Sequence, residues 1–151
     1  TSNSFPHSSG IASSASGMSA LALCICDIAS KKGLLDSEKF FQTASLLSRL
    51  GSGSASRSVF GPLGVWGEHP DFEGSSDDFA ISYNNVSPIF KNYCDTILLV
   101  HKGQKTVSST VGHDLVDNHP FAIARFRHAN QNMSSYFYRQ RNEISILVTL
   151  E

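Results

Sequence analysis

The sequence predicts a mixed chain of α-helices and β-strands, on three observations: a helical recurrence of apolar residues near the start, a glycine-punctuated apolar segment around residue 62, and an unbroken apolar run around residue 98. In the first, Ile11, Ala15, Met18, Ala22, Ile25 and Ala29 follow at alternating spacings of four and three, which places them on one face of a helix from about Ile11 to Ala29. Lys31-Lys32-Gly33 supplies a basic last turn and a glycine stop. Asp36 or Ser37 then caps a second helix through Leu50.

Further along, Val59 to Trp66 reads as a buried strand broken by glycines, and Phe79 to Tyr83 as another, with the acidic segment Glu68 to Asp78 as a surface loop between them. Asn84 to Asn92 is a second connection and a place for a domain boundary, so residues 1–92 and 93–151 are expected to belong to different domains. Thr96 to Val100 is the clearest buried strand in the sequence, and a capped helix follows from about Ser108. Pro120 suits the first turn of a last helix, with Phe121, Ala124, His128, Asn132 and Tyr136 on one side.

Composition narrows the functions open to such a chain. Of 151 residues 40% are hydrophobic, enough for one globular domain or the adjoining parts of two. Twelve lysines and arginines against thirteen acidic residues leave a formal charge of −1, without the basic field that non-specific nucleic-acid binding needs. Any anion site must therefore be local. Cys24, Cys26 and Cys94 form neither an even disulfide set nor paired CxxC motifs, so all three are expected in the core of a protein from a reducing compartment, by default the cytoplasm. The most apolar stretch, Ala20 to Ala29, is too short for a bilayer, and no charged signal-peptide start precedes it. The chain opens without methionine in a polar Thr1-Ser2-Asn3-Ser4 run and reads as an internal segment of a longer protein.

Three segments combine residues suited to anions. Pro6 to Ala15 is a turn of glycine and serine that runs into a helix of small residues, where free backbone N–H groups and the positive helix end suit a polyphosphate. A serine-rich N-cap with close helix packing describes the same residues. Gly51 to Arg57 sets alternating hydroxyls before one guanidinium, a combination that grips carboxylate or phosphate, or else forms a solvated loop. Lys105 to Thr110 follows the strongest strand and opens a helix, which describes a third anion site or an ordinary N-cap beside an exposed lysine. The six histidines show no metal-ligand spacing, and the serines include no GxSxG elbow, so metalloprotease and serine hydrolase chemistry find no support. The P-loop and GxGxxG patterns are also missing.

In this order, the three segments closely resemble those of diphosphomevalonate decarboxylases of the GHMP kinase superfamily. Asn3-Ser4-Phe5-Pro6 through Ser16-Gly17 is similar to the family's ATP-binding segment N-x-F-P-x-x-x-G-L-A-S-S-A-x-G, with Ile11 in place of leucine. Arg49 to Gly61 resembles the more specific R-x-G-S-G-S-A-x-R-S-x-F-G, and Lys105 to Gly112 the family's K-x-x-S-S-T-x-G. His119-Pro120-Phe121 to Arg125-Phe126 is similar to a helix of its bacterial branch, whereas the segment beyond Met133 departs from the pattern.

The resemblance implies an α+β, GHMP-kinase-like fold: the later part of an N-terminal domain like ribosomal protein S5 domain 2, then the start of a ferredoxin-like C-terminal domain. It further implies ATP-dependent decarboxylation of mevalonate 5-diphosphate to isopentenyl diphosphate, with Mg²⁺ on the phosphates. Ser8, Ser9, Gly10, Ser13 and Ser14 would hold ATP; Ser52, Ser54 and Arg57 would hold the mevalonate end, with Arg57 paired to the carboxylate that leaves. Lys105 and Ser109 would contact phosphate groups. The same pattern implies a homodimer, a catalytic aspartate beyond the end of this chain, and a lysine-bearing and tyrosine-bearing strand before Thr1. A related mevalonate-type kinase, a phosphomevalonate decarboxylase, and an inactive fragment with residual phosphate binding are the rival readings.

Overall fold

The computed structural model describes residues 12–92 and 109–141, together with residues 2, 4, 5, 94, 96, 98 and 107. Two compact units divide the chain, the first carrying everything up to residue 84 and the second the helices after residue 105.

Helix α1 spans Ser13–Lys31, close to the expected limits. It stops where the glycine predicts: Gly33 turns to φ 70°, and the amides of Gly33 and Leu34 donate back to the carbonyls of Ser30 and Ala29 at 2.9 Å each. That double bond satisfies the last carbonyls of the helix in the Schellman manner. The buried face differs from the expected one. Ala15, Ser19, Ala22 and Cys26 are buried, whereas Met18 and Ile25 of the predicted stripe are exposed. The reason is close packing: α1 lies against α2, Phe40–Gly51, whose own buried residues are Ala44, Ser45 and Ser48. Two faces of small residues approach more closely than branched side chains permit, so bulk is pushed to the flanks.

A 3₁₀ turn, Ser37–Lys39, leads into α2, and Asp36 stands at its N-cap without a side-chain capping bond. After α2 the chain makes a longer 3₁₀ turn, Gly53–Val59, where the sequence alone suggested a loop. Cys26, Ala44 and Val59, one from each of these three elements, form a core cluster sealed by Leu23, Leu35, Phe40 and Phe60.

The strand expected over Val59 to Trp66 shrinks to β1, Gly64–Trp66, because Val59 closes the 3₁₀ turn and Pro62 has no amide to donate to a ladder. β2, Ala80–Ser82, falls within the predicted strand and pairs antiparallel with β1 in the register Gly64 with Ser82, Val65 with Ile81 and Trp66 with Ala80. The loop between them folds on itself. Gly67 N–H donates to the Ser76 carbonyl at 3.0 Å, Glu68 N–H to Asp77 Oδ1 at 2.9 Å, and Trp66 Nε1 to the Asp77 carbonyl at 2.8 Å. Phe72 is buried under it, in edge contact with Tyr83.

In the second unit, α3 covers Ser109–Asp117 and α4 Ala122–Arg141, after a 3₁₀ turn at Pro88–Asn92. Pro120 sits just before α4, whose early amides donate to the carbonyls of His119 and Phe121. Of the strand expected over Thr96 to Val100, Ile97, Leu99 and Val100 lie outside the described residues. Leu98 has no regular secondary structure and is 86% exposed, contrary to the burial expected, and no described strand lies beside it to complete a ladder.

Two further expectations change. Cys26 is buried, but Cys24 and Cys94 are exposed; Cys24 lies two residues from Ala22 and Cys26 and so faces away from the packed side of α1. The apolar stretch of 20–29 is part of a nineteen-residue helix that is long and apolar enough, by length and composition, to cross a membrane. In the first unit that helix packs its Ala15–Cys26 face on α2.

Candidate functional site

The site begins at the first residue before α1. Ala12 occupies its N-cap position at φ 51° and ψ 36°, in the left-handed region, and provides no side-chain cap. Its carbonyl receives the Ser16 amide at 3.2 Å, so the helix starts at once. Alanine in this region costs about 1 kcal/mol against glycine, and non-glycine residues held there concentrate at functional sites. The first-turn amides of any helix lack intrahelical acceptors, and α1 has no acidic residue in its first turn to neutralise them.

Against this helix start lies the second predicted segment. The hydroxyls of Ser14 and Ser52 share a hydrogen bond at 3.3 Å across a separation of 38 residues. An open cleft of about 330 Å³ is lined by Ala12 and Ala15 at the start of α1 together with Ser54, Arg57, Ser58 and Phe60. The two ion pairs described, Lys31 with Asp27 and Arg49 with Asp78, leave the exposed guanidinium of Arg57 without an acidic partner among the described residues. Arg57, exposed and without an acidic partner among the described residues, lines this concavity with Ser54 and Ser58 beside the start of α1, a combination suited to a carboxylate or phosphate.

Arg57 is held by what lies behind it. Gly64 of β1 packs so closely on it that a Cβ there would sit 3.1 Å from the Arg57 carbonyl oxygen and 3.3 Å from its Cα. Trp66 lies against Gly53 at the other end of the same turn. Ser56 Oγ donates to the Gly53 carbonyl at 2.9 Å, closing the turn internally. On the α2 side, Ser45 Oγ donates to the Ser56 carbonyl at 2.9 Å and accepts from the Ala80 amide at 2.8 Å. Sequence reasoning missed Ser45, Gly64 and Trp66. The signal that would have found Ser45 is its place next to Ala44 and three residues before Ser48, on the small-residue side of α2.

The structure thus joins Ser14 to Ser52 by a hydrogen bond and sets Ser54 and Arg57 on a cleft that Ala12 and Ala15 also line. Ser13, the first residue of α1, is half-buried beside them. Ser8, Ser9, Gly10 and Lys105 lie outside the described residues. Ser109 begins α3 in the second unit. Among the described residues no group of three His, Cys, Asp or Glu is arranged to hold a metal ion.

Comparison with known proteins shows what the chain is similar to. A family described as diphosphomevalonate decarboxylase-like N-terminal domain matches residues 1–80. A diphosphomevalonate decarboxylase from Ganoderma lucidum is 35% identical over 131 residues, covering 83% of this chain and 30% of that protein. One from Saccharomyces cerevisiae is 34% identical over 113 residues, covering 75% of this chain and 26% of that protein. The crystal structure of a mevalonate diphosphate decarboxylase from Legionella pneumophila superposes with a TM-score of 0.66 at 31% identity, over 93% of this chain and 41% of that one. The chain therefore spans less than a third of the length of these two curated relatives.

Proposed function

The chain belongs to the diphosphomevalonate decarboxylase-like family, and on that premise we propose that it carries the phosphate-binding helix start and the substrate turn of an enzyme that converts mevalonate 5-diphosphate to isopentenyl diphosphate with ATP. The observation that carries this reading is that Ser14 of α1 bonds Ser52, while Ala12 and Ala15 at the start of the same helix line a cleft with Ser54 and Arg57.

In this reading the γ-phosphoryl group of ATP passes to the tertiary hydroxyl of the substrate. The bond to the carboxylate carbon then breaks, its electron pair forms the new double bond, and inorganic phosphate and carbon dioxide leave. Ser13, Ser14 and the first-turn amides of α1, with Ser8, Ser9 and Gly10 before them, hold the ATP phosphates. The residues fit a polyphosphate, since the helix start is free of acidic side chains and flanked by hydroxyls. Mg²⁺ bound with the ATP held by these residues would offset negative charge on the phosphates. Ser52 and Ser54 orient the mevalonate end, and Arg57 grips the carboxylate. An interaction stronger in the ground state than in the transition state slows a step, so the contribution of Arg57 is orientation of the scissile bond. Lys105 and Ser109 contact phosphate groups on the family pattern.

The finer fold goes with the same reading: an S5-domain-2-like first unit and, in the second, the start of a ferredoxin-like domain. A homodimer and a cytoplasmic location go with it as well, and the three free cysteines suit a reducing compartment.

The test is carbon dioxide release from mevalonate 5-diphosphate and ATP by the protein in its natural full length, beside ATP affinity. Arg57→Ala is expected to lower turnover on the order of 100-fold and leave ATP affinity within about twofold. Equal loss of both would sink the role of Arg57, and phosphate binding without carbon dioxide release from the unmodified protein would sink the decarboxylase reading.

A further inference from the structure

We infer that Ser45 is a positioning residue that sets where Arg57 and the serines of the substrate turn stand, an inference that rests on reading Ser52 to Arg57 as the segment that holds the mevalonate end. Ser45 is fully buried in α2, on the side that faces the turn. Its hydroxyl is used twice. It donates at 2.9 Å to the carbonyl of Ser56, the residue immediately before Arg57, and it accepts at 2.8 Å from the amide of Ala80 in β2. Ala80 pairs across the sheet with Trp66, whose ring lies against Gly53 at the start of the same turn. One oxygen atom therefore joins α2, the substrate turn and the strand that backs it.

The two partners require opposite capacities, since a carbonyl needs a donor and an amide needs an acceptor. Alanine supplies neither, and a thiol does both weakly. Loss of the hydroxyl leaves two buried backbone groups without that partner. Such groups recover their hydrogen bonds most readily by moving toward water, which draws the Ser56 peptide, and Arg57 with it, away from the present position.

The protein contains its own control. Ser48 is as buried as Ser45, but its hydroxyl donates to the Ser45 carbonyl at 2.8 Å, within the same helix, and does not reach the turn. A residue that merely supports the fold behaves like Ser48. A positioning residue does not.

The experiment titrates the protein in its natural full length with mevalonate 5-diphosphate and, separately, with ATP and Mg²⁺, and measures acrylamide quenching of Trp66, the one tryptophan among these 151 residues, with any tryptophan elsewhere replaced by phenylalanine. Ser45→Ala is expected to weaken mevalonate 5-diphosphate binding about tenfold, to change ATP binding less than about twofold, and to raise quenching of Trp66. Ser48→Ala is expected to leave all three near the starting values, and Ser45→Thr, which keeps the hydroxyl, to recover most of the lost affinity. Identical behaviour of Ser45→Ala and Ser48→Ala would overturn the inference. Should Ser45→Ala fail to fold, Ser45→Cys takes its place with an intermediate loss expected, and unchanged affinity there would overturn it equally. Arg57→Ala separates the inference from its premise. If that variant binds mevalonate 5-diphosphate as the parent does, the reading of the turn has failed; if it loses binding while Ser45→Ala tracks Ser48→Ala, only the role of Ser45 has failed.

Discussion

A methyl group on Gly64 would press against backbone, with the Arg57 carbonyl oxygen at 3.1 Å and its Cα at 3.3 Å. Backbone cannot swing aside as a side chain can, so the whole 3₁₀ turn must shift. Gly64→Ala is therefore expected to destabilise the chain by about 1–3 kcal/mol and to weaken mevalonate 5-diphosphate binding more than ATP binding. Chemical denaturation and the two titrations check this; an unchanged substrate affinity would show that the turn tolerates displacement. Cys26, by contrast, stays outside the chemistry. Burial pushes its thiol pKa up, which keeps it protonated and inert, while Cys24 faces solvent from the same helix.

At the scale of elements, the junction of α1 and α2 shows the opposite kind of crowding. A Cβ on Gly51 would collide with Sδ and Cγ of Met18, an exposed side chain at the edge of the helix pair. Met18 can rotate outward, and alanine is the better helix former at this terminal position. Gly51→Ala is thus expected to stay within about 0.5 kcal/mol of the parent in a thermal melt, and a loss above about 2 kcal/mol would mean that Met18 is fixed. The contrast between Gly51 and Gly64, on either side of Arg57 in the chain, could not be read from the sequence, which does not show what a Cβ at each would meet. The extent of α1 was legible, because a three-and-four recurrence survives whichever way the helix turns. Its buried side was not, because the contact with α2 is made by alanine, serine and cysteine and not by its larger residues. Ser14, Ser52, Ser54 and Arg57 were picked out in the sequence through motif resemblance, and the structure describes all four in the first unit. Ser45 escaped because a serine on a helix reads as solvent-facing unless the partner that needs its hydroxyl is known.

For the whole molecule, the same packing rule leaves bulk on the outside of the first unit. Met18, Leu21, Ile25 and Ile28 recur at spacings of three and four along α1, all exposed, beside the small-residue face. An apolar stripe of this kind promotes self-association in water. Ile28, 57% exposed, is far from the cleft end of the helix, so Ile28→Lys is expected to change stability by less than about 0.5 kcal/mol and to lower light scattering at a given concentration. Unchanged scattering would show that this stripe does not drive association.

The loop from Gly67 to Asp78 meets many of its own needs: much of its polar backbone is bonded within it, its one large apolar residue, Phe72, is covered by His69 and Tyr83, and both ends are pinned by the β1–β2 ladder. The loop is nonetheless tied to what stands behind Arg57: Trp66, whose ring lies against Gly53, donates to the Asp77 carbonyl, and Arg49 of α2 pairs with Asp78, so a change in the length of this loop would be felt in the turn that carries Arg57.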